Sequence, residues 1–211
     1  MLWRVTGGPF LVPGGNVKIV GTDAPEVERV LVGGGLACPG CAGRLRPWGH
    51  ARERVVRHRD HEERRRPRRS RCGQCALTHV LLAEDCLLRR GDAVEVIGAA
   101  LTAKAAGHGH RRIARDLGRL AETVRNWLRR FAIAAVAIRS FFTVLAHDLD
   151  PMLGAIDPVG SAFADAVEAI AAAARASVGR LGPRPPWSFA SASSGGRLLS
   201  GVGEDRNRNL R

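Results

Sequence analysis

Residues 107–131, GHGHRRIARDLGRLAETVRNWLRRF, constrain the fold more than any other stretch of this chain. Gly107 and Gly109 open the stretch and Gly118 interrupts it. Between and after them apolar residues recur three and four apart: Ile113, Ala114 and Leu117, then Val124, Trp127, Leu128 and Phe131. That spacing gathers apolar side chains on one face of a helix. It predicts a helix over 110–117, a stop at Gly118 in the left-handed conformation glycine adopts at low cost, and a third helix from about residue 121. Upstream, Val94, Ile97, Leu101 and Ala105 line one face of a first helix over 93–106. Asp92 reads as its N-cap and Glu95 as the capping-box acid.

The third helix turns Glu122, Thr123, Arg125, Asn126, Arg129 and Arg130 away from its apolar face. Arginine can fork onto guanine, asparagine onto adenine, and a threonine methyl can meet the thymine methyl in a major groove. Glu122, Thr123, Arg125, Asn126 and Arg129 are therefore candidate base contacts. Arg111, Arg112 and Arg130 are candidate phosphate contacts. The plain alternative is an arginine-rich helix that faces only solvent.

Two cysteine pairs form the second constraint. Cys38-Pro-Gly-Cys41 and Cys72-Gly-Gln-Cys75 each place two thiols on a turn. Proline and glycine let the backbone curl until both thiolates face one point, the geometry a tetrahedral zinc requires. Together Cys38, Cys41, Cys72 and Cys75 make one structural four-cysteine site. The 30 residues between the pairs suit an irregular hairpin, out over 44–58 and back over 64–71. This is the layout of a zinc ribbon over 36–85, whose small charged core would draw much of its stability from zinc. Free thiols are the alternative. A redox role needs a βαβ setting that does not surround these pairs. His50, His58, His61 and His79 could stand in as ligands, but four cysteines already suffice. Cys86 reads as a small buried apolar residue.

The formal net charge is +13, carried almost wholly by arginine, since Lys18 and Lys104 are the only lysines. A GC-rich coding genome would explain the choice of arginine but not its location. Residues 38–75 carry twelve arginines against four acids, and residues 104–130 carry eight cations against two acids. The remainder is close to neutral. A segregated basic field marks a polyanion binder. Neither segment is a lipid-seeking amphipathic helix, so nucleic acid is the expected partner and no membrane is. Arg66, Arg68, Arg69 and Arg71, in the run that closes the hairpin, are candidate phosphate contacts, which give affinity and salt dependence.

The remaining segments are read around these two. Residues 1–35 form an N-terminal segment, irregular over 1–22 with a short strand at 17–20. A helix follows over 24–32, capped by Asp23 with Glu26 as the capping-box acid. Residues 78–88 are ambiguous between strand and helix. The apolar stripe of the third helix continues through Ala134, Ala135, Ile138, Phe141, Phe142 and Leu145 to about residue 147. A helix over 161–178, with Phe163, Val167, Ile170 and Val178 inward, is one cover for it; a second copy of the chain, paired through 132–178, is the other. Residues 181–211 read as a proline-rich connector with Trp187 docked on the helices, then a disordered tail from Ser191. The start lacks the pattern of a signal peptide, and the longest apolar run, 131–146, contains Arg139 and falls short of a span. A cytoplasmic, nucleoid-associated protein is expected.

CPGC, GRLRPWGHARERVVR, RPRRSRCGQC, THVLL, EVIGAAL, GHGHRRIARDLG, AETVRNWLRRF and GPRPPW together resemble a family of uncharacterised bacterial proteins common in actinobacteria. Their front end looks like the DNA-binding region of insertion-sequence transposases. The resemblance covers about residues 25–187. It implies a zinc ribbon on the four cysteines and a homeodomain-like helix-turn-helix over 92–131 with the reading helix at 121–130. Members usually carry proline where Leu120 stands, and its absence weakens the helix start without removing a base contact.

The expected fold is mainly α with a small β zinc ribbon, the helix-turn-helix being followed by a helical hairpin. A transposase would also need an acidic triad on a ribonuclease-H-like domain of well over 100 residues. Only 80 follow Phe131, and Asp148, Asp150 and Asp157 fall in a loop. The expected function is non-enzymatic binding of double-stranded DNA, as a transposon-associated accessory factor or a transcriptional regulator. A transposase or integrase would be a natural partner. RNA binding through the ribbon, or a transposase remnant without its catalytic domain, are the alternatives.

Overall fold

Helix α4 (Ala121–Leu149) is the element against which the helices of residues 94–105, 110–117 and 162–181 pack. It contains neither glycine nor proline, so nothing interrupts it over 29 residues. Its expected stripe is buried from Val124 through Trp127, Phe131, Ile138 and Phe142 to Leu149. The computed structural model describes residues 16–200. The expected glycine-paired start and the last eleven residues of the tail lie outside the described residues.

α2 (Val94–Ala105) and α3 (His110–Leu117) cover the first half of α4. Gly118 ends α3 at φ +62, the left-handed stop that the sequence required. The start of α2 departs from expectation. Its N-cap is Ala93, with no side-chain cap. Asp92 instead faces inward onto two arginines, and Glu95 accepts hydrogen bonds from the backbone N–H and hydroxyl of Ser188. A carboxylate offered two guanidiniums gains more than one offered a helix N–H.

α5 (Ala162–Leu181) provides the second cover for α4. Its first turn lies far back along α4: the Phe163 and Phe131 rings are 4.7 Å apart, and Arg139 pairs with Asp165 at 3.0 Å. The connection from Asp150 to Ser161 returns along α4 with Leu153 and Ile156 against the core, and α5 folds back on α4 as the helical hairpin expected. Val178, expected inward, is 46% exposed, and small residues such as Ala166, Ala169 and Ala173 bury the face instead. They allow close approach of the two helices.

The chain does not become disordered at Ser191. α6 (Pro186–Ser193) carries Trp187 onto α2, as expected, and Phe189 onto Phe142. Ser191, Ser194, Leu198 and Leu199 are buried, and the Ser191 hydroxyl donates to the Cys86 carbonyl at 2.7 Å. The serine-rich composition that suggested disorder serves here to satisfy buried backbone carbonyls.

The β part is a four-stranded sheet in the order β1-β6-β5-β2. β1 (Val17–Val20) runs parallel to β6 (Thr78–Ala83); β5 (Arg68–Cys72) and β2 (Leu45–His50) complete it antiparallel. Residues 78–83 thus resolve to strand. The long hairpin continues as β3 (Arg54–Arg57) and β4 (Glu62–Arg65), a separate ladder beyond an irregularity between Pro47 and His50. α1 (Ala24–Val32) starts as expected at Asp23, whose carboxylate accepts from the Glu26 N–H at 3.3 Å. Glu26 does not reach back to complete the box; it pairs with Arg29. Leu31 of α1 joins Leu45, Leu81, Cys38 and Cys72 in a small core distinct from the large helical one.

By length and composition α4 could cross a membrane. Ile133, Val136 and Val144 on one side of it are exposed, but its stripe from Val124 to Leu149 is buried against α2, α3 and α5, with Arg139 paired to Asp165 within that packing. These features fit the core helix of a soluble protein.

Candidate metal centre and cationic face

The four cysteines come together. Cys38 Sγ lies 3.7 Å from Cys75 Sγ and Cys41 Sγ lies 3.4 Å from Cys72 Sγ, with all four sulfurs within 4.8 Å of one another. A tetrahedron whose sulfurs each sit about 2.3 Å from a central ion has edges of about 3.8 Å. Disulfides would need about 2.05 Å, so these are free thiols spaced for one ion.

The two turns are built alike. The Cys38 N–H donates to the Gly43 carbonyl at 2.7 Å, and the Cys72 N–H donates to the Leu77 carbonyl at 2.9 Å, each five residues on. Each turn reverses through an alanine at positive φ directly after its second cysteine, Ala42 at +61° and Ala76 at +60°. An L-residue there costs about 1–2 kcal/mol. The same cost in both turns fits a constraint they share, which is convergence on one ion. The N–H groups of Cys75 and Gln74 donate to the Cys72 sulfur and hold its thiol down at about 6. Cys75 goes the opposite way: although the Leu77 N–H lowers it, desolvation and the sulfurs of Cys41, Cys72 and Cys38 push its thiol up to about 12. One thiolate in the cluster thus opposes the next unless a cation lies between them.

His79 adds a contact that spacing did not reveal. It is 1% exposed, and its Nε2 lies 3.4 Å from Cys38 Sγ. It stands behind a ligand as a hydrogen-bond partner and is not a fifth ligand. The signal was present in the strand alternation of β6, which turns His79 and Leu81 toward the cysteine core. His58 and His61 stack on each other at 4.4 Å in the β3–β4 turn, away from the centre. Cys86 is buried as expected, and burial pushes its thiol up to about 12.

The candidate base contacts occupy the face of α4 opposite its buried stripe. Glu122, Arg125 and Arg129 are exposed; Thr123, Asn126 and Arg130 are half-buried. Within this face Arg125 reaches Glu122 at 3.4 Å, and Arg129 donates to Asn126 at 3.3 Å. Such exposed pairs are worth a few tenths of a kcal/mol and are easily exchanged for another partner. Arg111 and Arg112 are exposed on α3.

The ribbon arginines divide into two kinds. Arg66 is exposed and makes no hydrogen bond or ion pair among the described residues. Arg71 is exposed, with its guanidinium 4.7 Å from the ring centre of Trp48. Arg68 forks onto Glu28 at 2.7 and 3.0 Å and donates to the Gly49 carbonyl. Arg69 donates to the Thr78 hydroxyl at 3.3 Å. Arg68 and Arg69 therefore already spend donors inside the protein, and the exposed Arg71 spends its Nε on the Ala76 carbonyl at 3.3 Å, none of which spacing could disclose.

One carboxylate joins the ribbon to the helices. Asp92, 3% exposed, accepts from Arg57 of β3 at 2.9 Å and from Arg119, just past Gly118, at 2.7 Å. Arg119 also donates to the His58 carbonyl at 2.6 Å. The hairpin tip is thereby fixed to the α2–α3–α4 unit. Asp148 lies on the last turn of α4, and Asp150 accepts from the Met152 N–H. Among the described residues the cysteine cluster is the one His, Cys, Asp or Glu group placed to hold a metal. No protein-family model, curated protein or solved structure matches the chain.

Proposed function

We propose that this chain is a non-enzymatic binder of double-stranded DNA. In this reading α2, α3 and α4 act as a homeodomain-like helix-turn-helix. Glu122, Thr123, Arg125, Asn126 and Arg129 enter the major groove. Arg111, Arg112 and Arg130 flank them on phosphates, and Arg66 and Arg71 extend the phosphate grip through the ribbon. Four thiolates in a tetrahedral set select a soft divalent ion, and zinc is the ion we assign as a structural staple. It would supply no chemistry beyond holding the two turns together. The biological role is that of a transposon-associated accessory factor or a transcriptional regulator.

The observation that carries this reading is the Asp92 junction. It holds a cationic hairpin rigidly against a helical unit whose exposed face bears guanine- and adenine-reading side chains. The two basic segments are thereby tied to each other, and the reading requires that they present one surface to the duplex.

The test is fluorescence anisotropy of zinc-loaded protein on a randomised duplex pool, followed by selected sequences. Phosphate neutralisation predicts a log–log salt slope no steeper than about −4.5 if all five phosphate-contacting arginines engage, at about −0.9 per phosphate. No cleavage is expected in Mg²⁺. Absence of duplex binding at low salt would overturn the proposal.

Trp48 favours a second reading. It is 51% exposed and carries Arg71 against its ring, a surface on which an unpaired base can stack. Tighter binding to structured or single-stranded RNA than to any duplex would make the ribbon an RNA-binding module.

A further inference from the structure

A cavity of about 560 Å³ opens between α1, the hairpin and β6. Its floor is apolar: Val56, Leu81, Leu82 and Cys86 line it, and all four are buried. Cys86 stays an uncharged thiol there, so the floor carries no charge. Pro25 and Val27 of α1 form an apolar wall.

The mouth is cationic. Arg54, Arg64, Arg65, Arg66 and Arg68 line it, against Glu28 and Glu63. Both acids are taken, Glu28 by Arg68 and Glu63 by Arg65, and Arg65 is held further by Asp85. Two guanidiniums, Arg54 and Arg66, are left without a carboxylate among the described residues. Arg54 uses one N–H on the Arg90 carbonyl, which anchors it. Arg64 has only a 3.3 Å contact to exposed Glu53, and Arg66 has no partner among the described residues. With Glu28, Glu63, Asp85 and Glu53 set against the five arginines, the mouth keeps a net charge of about +1, at the end where Arg54 and Arg66 meet no carboxylate.

We propose that this cavity binds a small organic anion: a carboxylate or phosphate head on a compact apolar body. The volume falls in the range of ligand pockets, roughly 300–1,000 Å³. An inorganic anion alone would leave the accessible apolar wall of Pro25 and Val27 in contact with water, and a neutral hydrocarbon would leave the arginines without a counter-charge. Only a ligand with both parts satisfies both surfaces. Arg66 is also a phosphate contact in the DNA-binding proposal, so an occupant would compete with DNA for it. That consequence rests on the DNA-binding proposal; the site itself does not.

The test is calorimetric titration of the zinc-loaded full chain, without DNA, using 1-naphthyl phosphate, 1-naphthoate, inorganic phosphate and 1-naphthalenemethanol. One-to-one binding of at least one naphthyl anion is expected, at least tenfold tighter than inorganic phosphate or the alcohol. The tighter of the two anions identifies the head group. Arg64→Ala and Arg66→Ala, both at exposed positions, should each weaken binding three- to tenfold while leaving the melting temperature in place. No saturable binding by either anion overturns the proposal. So does equal binding of inorganic phosphate or the alcohol, or undiminished binding in the Arg64→Ala/Arg66→Ala double variant. A chain that binds the naphthyl anion but no duplex keeps this site and loses the DNA proposal; the converse result does the opposite.

Discussion

Asp92→Ala should be among the most damaging single substitutions outside the metal centre. Asp92 is 3% exposed and takes hydrogen bonds from Arg57 and Arg119, whose side chains are 43% and 15% exposed. Removing one partner of a buried ion pair costs about 3–5 kcal/mol, because the other charge is left without compensation. The Arg57 half is open to water and accounts for at most about 1 kcal/mol of this. Most of the loss falls on Arg119, which retains the His58 carbonyl as one acceptor. A total of about 3 kcal/mol follows, toward the lower end of the range. For a chain of this size that lowers the melting temperature by roughly 6–12 °C.

The assay is a double-mutant cycle by denaturant unfolding. Asp92 and Arg119 should couple by about 1–3 kcal/mol, and Asp92 and Arg57 by less than about 1 kcal/mol. Hydrogen exchange gives the local reading. The Ala93 N–H donates to the Arg57 carbonyl at 2.9 Å and the Arg57 N–H to the Gly91 carbonyl at 2.8 Å, so both amides should lose protection in the variant. If Asp92→Ala and Arg119→Ala add to within about 0.5 kcal/mol, the junction is not coupled and the reasoning fails.

Gly98→Ala should cost about 1–3 kcal/mol by overpacking, since an added Cβ would lie 2.2 Å from the Trp187 ring. Combining it with Trp187→Ala should be less than additive in thermal melts, and full additivity would place the indole elsewhere. Gly118→Ala meets nothing within 4 Å, so its cost is backbone strain alone, about 1–2 kcal/mol at φ +62, read in the same melts. Metal analysis should find one zinc per chain, released by thiol modification. Because the large helical core contains none of the four cysteines, release should unfold the sheet around Leu31, Leu45 and Leu81 while most helical circular dichroism persists. A fully folded zinc-free chain would contradict the assignment. On DNA, Arg125→Ala or Asn126→Ala should relax sequence preference by about 1–3 kcal/mol per lost base contact, whereas Arg66→Ala should weaken all sequences alike; identical effects would refute the division of labour.

Much of this molecule is legible in short stretches of sequence, because the forces that shape those stretches are local. Apolar spacing of three and four placed α3 and the buried stripe of α4, and Gly118 stops α3 for a reason internal to one residue. Asp23 caps α1 through a residue three positions away. Each cysteine pair is presented by its own turn, although it is the β2–β5 ladder, registering Leu45 with Cys72, that brings the two pairs together. What the sequence did not reveal depends on partners far along the chain. Asp92 resembled a helix cap until the fold brought Arg57 and Arg119 to it from 35 and 27 residues away. Arg68 resembled a free phosphate grip until α1 delivered Glu28 from 40 residues away. Ser191 belonged by composition to a tail, and it is buried because the Cys86 carbonyl, 105 residues distant, requires a donor. Helix and turn geometry are thus set by neighbours in sequence. Which charges are neutralised, which polar groups are buried and where a cavity remains are set by neighbours in space, which exist only once the chain has closed on itself.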